Sequence, residues 1–255
     1  MTHFHLFRKS VFLAAIASLA CLAFADAAIR TSHSSGDVFS QTPVNPQLKI
    51  RTAAPNLQIK ELRLTGNKLE MALKNDYGDS ITAFIISVAG EEYAEDLIFA
   101  ESPAARKLAP SAIRQLRYIL PSSASQPPEI VVYGVVFDNL KYVGDPQRVV
   151  KVFLRRSGLR KQIARIYPYL SKLGEASDEA GPVALEQLKS AAELLSTKEA
   201  KGQSKHVGEG LQSGKDIVDE WISDLDKFIQ TGNIQQMRAK YALIRERCIY
   251  LLNRM

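Results

Sequence analysis

Carboxylates are the side chains of this sequence whose types and spacing best suit chemistry. Four acids follow one predicted strand, and two more bracket a turn after another: Glu91, Glu92, Glu95 and Asp96, then Asp138 and Asp145. Two acids held at a fixed separation can hydrolyse a glycosidic bond. The sequence does not place the aromatic-lined cleft that such sites use. Because acids are commonly exposed, we expect solvated carboxylates, and a polysaccharide hydrolase is the alternative.

Some of these acids also bear on metal binding. Calcium takes clustered oxygen ligands, and two pairs qualify, Asp76 with Asp79 and Asp138 with Asp145. Neither stretch has the spacing of an EF-hand loop, and aspartate in a turn ordinarily hydrogen-bonds to nearby backbone. We therefore predict no metal site and no cofactor, with calcium at these four residues as the alternative.

The sequence does not supply a nucleophile with a positioned base. Serine or cysteine catalysis requires an adjacent base, and beyond residue 25 the only histidines are His33 and His206, both in polar segments. Cys248 falls on the apolar stripe of a predicted helix, so we expect it to be buried. The motifs G-x-S-x-G, S-x-x-K and H-E-x-x-H do not occur. We assign no catalytic residue.

The first 25 residues predict export. A basic head precedes an apolar run that ends in small residues at A-x-A spacing, formed by Arg8 and Lys9, Val11–Ala25, and Ala23 and Ala25. This is the pattern of a secretory signal peptide, so the mature chain is predicted to begin at Asp26 and to be periplasmic or secreted. An N-terminal membrane anchor is one alternative, although the run is shorter than the ~20 residues that span a bilayer. A lipoprotein modified at Cys21 is the other.

Beyond the leader the local signals change twice. Residues 26–56 are rich in Ser, Thr, Asn, Gln and Pro without a period, which predicts a flexible lead. Residues 57–145 carry short β-branched and aromatic runs, such as Ile81–Val88, which we expect to be buried on both faces, and Glu129–Phe137. Thr65–Lys68 (TGNK) predicts a hairpin turn. We predict an α+β chain, with an antiparallel immunoglobulin-like β-sandwich over 57–145 and an α-helical region over 146–255.

The first helix of that region changes its apolar face at Ser157-Gly158. Val149 belongs to one stripe and Leu159 to another. We infer either a break there or one long helix buried on opposite sides by the sheet and by the other helices. The polar stretch from about Ser196 to Gly210 is predicted to be a mobile connection, and an antiparallel helical hairpin follows it.

Charge does not indicate a nucleic-acid partner. The formal net charge is +6 over 255 residues, and nucleic-acid-binding domains usually cluster their basic residues on one face or helix. The densest basic run scatters around the helix axis; it comprises Lys151, Arg155, Arg156, Arg160, Lys161 and Arg165. We expect these side chains to be solvated or paired with acids, and contact with anionic polymer or lipid headgroups is the alternative.

Two segments resemble a pattern in uncharacterised exported proteins of soil bacteria. These are Leu73–Val88 (LKNDYGDSITAFIISV) and Gly134–Val149 (GVVFDNLKYVGDPQRV). In that pattern a strand ending in Val-Phe meets an Asp-Gly turn, followed by Gly-Asp and a helix. Gly144-Asp145 fits, and Asn139-Leu140 stands where the pattern has Asp-Gly. The resemblance brings no activity with it.

These observations together predict an exported binding or scaffolding module without catalytic activity. We expect its partner to be a protein or a cell-envelope polymer, and self-assembly through the C-terminal helices is a further alternative.

The leader prediction is tested by the mass of the protein recovered from the cell envelope. We expect an N-terminus at Asp26. Ala25→Leu should leave the leader attached, because the cleavage site requires small residues, whereas the control Ala28→Leu should be processed normally. Full-length protein recovered from the cytosol would contradict export.

Overall fold

The computed structural model describes residues 49–100, 103–120, 129–198, 202 and 204–254. Within these ranges eight β-strands precede four α-helices along the chain, which confirms the predicted α+β class. The leader lies outside the described residues, together with the predicted cleavage residues Ala23, Ala25 and Asp26, and so does His33.

The larger sheet contains five strands in the order β1-β7-β4-β5, with β8 also paired to β7. Their bounds are β1 Lys49–Thr52, β4 Ile81–Val88, β5 Glu91–Asp96, β7 Glu129–Phe137 and β8 Tyr142–Gly144. Strand β1 runs parallel to β7, so the prediction of purely antiparallel sheets is wrong here. This strand also falls inside the predicted flexible lead. All four of its residues are exposed, so the strand has no buried face and its sequence has no alternation of apolar and polar residues to indicate one.

The smaller sheet is antiparallel, with the order β2-β3-β6. Its strands are β2 Leu57–Thr65, β3 Lys68–Asn75 and β6 Ile113–Ile119. Thr65 pairs with Lys68 across the predicted turn, where Gly66 has a φ of +59°. The TGNK hairpin is therefore confirmed.

The two sheets share one apolar core. Leu69, Met71 and Leu73 of the smaller sheet are buried in the same cluster as Phe84 and Val135 of the larger one. Consecutive strands β6 and β7 lie in different sheets, whereas the last strands of an immunoglobulin domain share a sheet. The finer immunoglobulin-like prediction is thus not confirmed by this strand order.

A single long helix joins the sheets to the helices. Helix α1, Pro146–Glu175, is continuous through Ser157-Gly158. Its first turns bury Val149 and Val152 against the larger sheet, while Leu159 and the apolar residues after it are buried among the other helices. Of the two predicted alternatives, one helix buried on two sides is correct. Because α1 covers its second face, all eight residues of β4 are buried, as predicted.

The remaining helices complete a second apolar core. They are α2 Gly181–Glu193, α3 Lys205–Gln230 and α4 Ile234–Asn253. Asn233 caps α4 by accepting a hydrogen bond from the Gln236 amide at 3.2 Å, and the predicted α3–α4 hairpin forms. Cys248 is fully buried in this core, and burial raises the pKa of its thiol to about 12. None of the helices in the described ranges is both long enough and apolar enough to cross a bilayer.

Helix α3 begins earlier than the sequence predicts. The stretch expected to connect α2 and α3 becomes helical at Lys205, and Ser204 caps it by accepting from the His206 amide at 3.3 Å. Its glycines are packing positions: a Cβ on Gly210 would overlap the Arg155 carbonyl oxygen, and one on Gly158 would overlap that of Val207. Helices α1 and α3 therefore touch backbone to backbone, and this tertiary contact outweighs the low helix propensity of glycine.

Gly210→Ala should lower the free energy of unfolding by roughly 1–3 kcal/mol, because the added methyl forces the two helix backbones apart. Urea denaturation measures the effect. The m value, which is the slope of the free energy of unfolding against urea concentration, should not change. Gly181→Ala is the matched control, since a Cβ there meets no atom within 4 Å. Equal losses from the two substitutions would contradict the close crossing.

Candidate functional site

The acids after β4 form strand β5, and they point alternately to its two faces. Glu92 and Asp96 face helix α1, where they meet basic side chains. Glu95 faces the smaller sheet, where it accepts from Arg114 at 2.6 Å, and Glu91 accepts from the Tyr93 hydroxyl at 2.7 Å. Because neighbouring residues of a strand face opposite ways, these four carboxylates do not converge on one point.

We call the region where α1 passes from the larger sheet to the other helices the junction. Its most buried ion pair is formed by Arg156 and Asp96. The Arg156 Nε and Nη2 atoms donate to the two Asp96 carboxylate oxygens at 3.0 and 2.8 Å. Nη2 also lies 3.1 Å from the Thr82 hydroxyl, which is within reach of the Val136 carbonyl oxygen at 3.2 Å. The two charged side chains are only 2% and 1% exposed. This bidentate arrangement occupies both oxygens of the carboxylate and shields them from any substrate.

A second, half-buried cluster lies one to two turns earlier on α1. Glu92 accepts hydrogen bonds from Arg148 and, at 2.9 Å, from Lys151. The Arg148 guanidinium also lies 4.7 Å from the centre of the Tyr133 ring, and Arg155 reaches the Ala94 carbonyl oxygen at 3.4 Å. Lys151, Arg155 and Arg156 of the basic run therefore bind the sheet, while Arg160, Lys161 and Arg165 are exposed.

The four aspartates considered for calcium have other contacts. Asp76 pairs with Lys74 at 2.6 Å, and Asp138 pairs with Arg254 at 3.3 Å. Asp79 accepts from the Asn139 amide at 3.2 Å, and Asp145 caps α1 by accepting from the Gln147 amide at 2.8 Å. Over the described residues, no three acids, histidines or cysteines are grouped to hold a metal ion.

The turn between β7 and β8 has Asn139-Leu140 where the pattern of the exported soil-bacterial proteins has Asp-Gly, and yet its backbone adopts a conformation that favours glycine. Leu140, which stands where that pattern has glycine, has a φ of +65°. This left-handed region favours glycine. Its amide nevertheless donates to the Phe137 carbonyl oxygen at 3.0 Å and closes the turn.

Three arginines of the junction are missed by sequence reasoning. Arg106 donates to the Ala100 carbonyl oxygen at 3.1 Å, Arg247 to that of Phe99 at 2.9 Å, and Arg254 to that of Asp138 at 3.1 Å. The Arg106 guanidinium lies 5.0 Å from the centre of the Tyr250 ring. Burial raises the pKa of Tyr250, so its phenol stays neutral. Arg247 and Arg254 reach partners more than a hundred residues away, and no local motif could have signalled those contacts.

A shallow depression of about 390 Å³ lies where β1 ends beside β7. It is lined by Arg51, Thr52, Ala53, Val131, Val132 and Tyr133. Arg51 pairs with Glu129 at 2.8 Å, and the Thr52 hydroxyl accepts from the Ala54 amide at 3.0 Å. Thr52 and Tyr133 contribute the hydroxyl groups of the depression, and its lining contains no carboxylate and no histidine.

His206 lies on α3, with its Nδ1 atom 3.0 Å from Glu209.

The chain matches no family model, no curated protein and no solved structure.

Asp96→Ala should lower the free energy of unfolding by about 3–5 kcal/mol, because it leaves the Arg156 charge buried without its counterion. Removing both charges with Asp96→Leu and Arg156→Met should recover most of the loss. Glu70→Ala is the control: it breaks a solvent-exposed pair with Arg117 and should cost no more than about 1 kcal/mol. Chemical denaturation of the four proteins measures these values. Similar costs for the Asp96 and Glu70 variants would refute a structural role specific to the buried pair.

Proposed function

We propose that this chain is an exported, non-catalytic binding or scaffolding module whose partner is a protein or a cell-envelope polymer. One observation carries the proposal. Each acid that the sequence offers for hydrolysis is engaged by a group of the fold. Asp138 forms an ion pair with Arg254 at 3.3 Å, and the other five carboxylates accept hydrogen bonds. Asp96, the most buried of them, is held by Arg156. A general acid or base must exchange a proton with its substrate, and these contacts commit the carboxylates to structure instead.

An apolar surface beside the junction supports a binding role. Tyr142 of β8 and Val150 of α1 are each nearly half exposed, and the Phe153 ring lies 6.3 Å from that of Tyr142 in an edge-on contact. Leu140, on the turn before β8, is exposed as well. We call Leu140, Tyr142, Val150 and Phe153 the β8–α1 patch. Exposed apolar groups brought together in this way are typical of interaction sites.

The patch stands on rigid elements. Strand β8 is hydrogen-bonded to β7, and the first turns of α1 are fixed by Val149 and Val152 against the sheet. A surface held in this way needs little ordering when it binds, which favours affinity. We also propose that the two sheets form an immunoglobulin-like sandwich, that the chain is related to the exported soil-bacterial proteins, and that it is exported.

The proposal is tested by co-sedimentation of the purified protein with the insoluble envelope fraction of the producing cells. Tyr142→Ser combined with Val150→Ser should reduce the bound fraction about tenfold, because aromatic anchors dominate interface energetics. Leu243→Ser removes an exposed apolar side chain from α4 and should leave binding unchanged, and circular dichroism confirms that each variant is folded.

Two results would count against this function. One is equal binding by the patch variant and the Leu243 control. The other is turnover of a polysaccharide by the purified protein that disappears with Glu92→Gln or Asp138→Asn, which would establish the hydrolase alternative.

A further inference from the structure

Strand β6 forms one edge of the smaller sheet. It pairs with β3 on one side, and no strand of the described chain lies on the other. The Leu120 amide donates to the Asn67 carbonyl oxygen at 2.7 Å, and the Asn75 amide donates to the Ala112 carbonyl oxygen at 3.1 Å. Hydrogen bonding alternates along an antiparallel strand, so Arg114, Leu116 and Tyr118 direct their backbone groups toward β3. The residues between and beside them, Ile113, Gln115, Arg117 and Ile119, direct theirs outward.

The outward residues form a self-complementary row centred on Leu116. Isoleucines stand at both ends, where Ile113 and Ile119 are 55% and 57% exposed, and the polar Gln115 and Arg117 stand between them. An antiparallel copy related by a two-fold axis at Leu116 would place each Ile113 opposite Ile119 of the second copy. It would place each Gln115 opposite Arg117 of the second copy, and roughly eight backbone hydrogen bonds would form.

The charges that ordinarily protect a sheet edge are neutralised on β6. Inward-pointing and edge cations prevent strands from pairing with another chain, but Arg114 binds Glu95 at 2.6 Å and Arg117 binds Glu70 at 2.8 Å. Both partners lie on other strands of the same chain. The positive charge of β6 therefore does not repel a second β6.

The other strand edges are less suited to pairing. Strand β5 already has one backbone acceptor engaged, because Arg155 reaches the Ala94 carbonyl oxygen at 3.4 Å. Strand β2 is irregular between Lys60 and Arg63, with a φ of +48° at Glu61, and such bulges disrupt an edge. Strands β1 and β8 have only four and three residues.

We propose that β6 is a dimerisation edge, along which a second copy of this chain adds its own β6 antiparallel about Leu116 and joins the two smaller sheets into one. The occupant is a second copy because the row pairs with itself, apolar against apolar and amide against guanidinium. This inference does not depend on the proposed binding function, since β6 and the β8–α1 patch lie on different sheets.

Sedimentation velocity over a concentration series tests the proposal with the full chain as the producing cell processes it. The unsubstituted protein should show a reversible monomer–dimer equilibrium. Ile113→Lys with Ile119→Lys sets lysine opposite lysine at both ends and should weaken the dimer roughly tenfold or more. Ile113→Lys with Ile119→Glu sets lysine opposite glutamate and should dimerise roughly tenfold more tightly than the double-lysine variant.

The matched control places two lysines on exposed apolar residues of the helices, with Val183→Lys and Leu243→Lys. It adds the same charge and should leave the dimer intact. Amide exchange gives a second readout: the Gln115 and Arg117 amides should become protected as the concentration rises, whereas the Leu116 amide is protected throughout.

Several outcomes overturn the proposal. One is a chain that stays monomeric at the highest concentration, whether or not it captures an extended peptide of another protein. Another is a dimer that survives the double-lysine change on β6. A dimer lost with the helix control instead would move self-assembly to the C-terminal helices.

Discussion

Arg156 and Asp96 meet at the point where helix α1 leaves the sheet and enters the helical layer, and the rest of the fold is arranged around that point. A buried ion pair gains little net stability because both charges lose water. Its geometry is demanding, however, since Arg156 must reach both Asp96 oxygens and the Thr82 hydroxyl together. We interpret the pair as fixing how α1 lies across β4 and β5.

The change of face on α1 follows from the same arrangement. One side of the helix covers the larger sheet through Val149 and Val152. Two residues beyond Arg156, Gly158 lets α3 approach until the backbones touch. A side chain at Gly158 would hold α3 away, so the second apolar core would lose its contact with α1. The sheet and the helices are thus coupled through about one turn of helix.

This coupling explains why Glu92 and Asp96 are engaged in structural contacts. From the sequence, Glu92 and Asp96 are expected to be solvated carboxylates near a turn. In the fold they lie on the face of β5 that is turned toward α1, where they pair with Arg148, Lys151 and Arg156. The apolar β8–α1 patch and the backbone edge of β6 are accessible instead, and we propose that both serve association.

Local sequence patterns were sufficient to predict those features whose structure depends only on residues close together in the chain. The sequence alone determined the α+β class, the TGNK hairpin, the doubly buried β4, the α3–α4 hairpin and the burial of Cys248, because spacing and turn chemistry act over a few residues. Only the tertiary structure decided the parallel pairing of β1, the helical state of Lys205–Gly210 and the partners of the junction arginines. Each of these depends on groups far apart in the chain, such as Arg247 with Phe99 or Gly210 with Arg155, and no local pattern specifies which distant surface will be there to meet them.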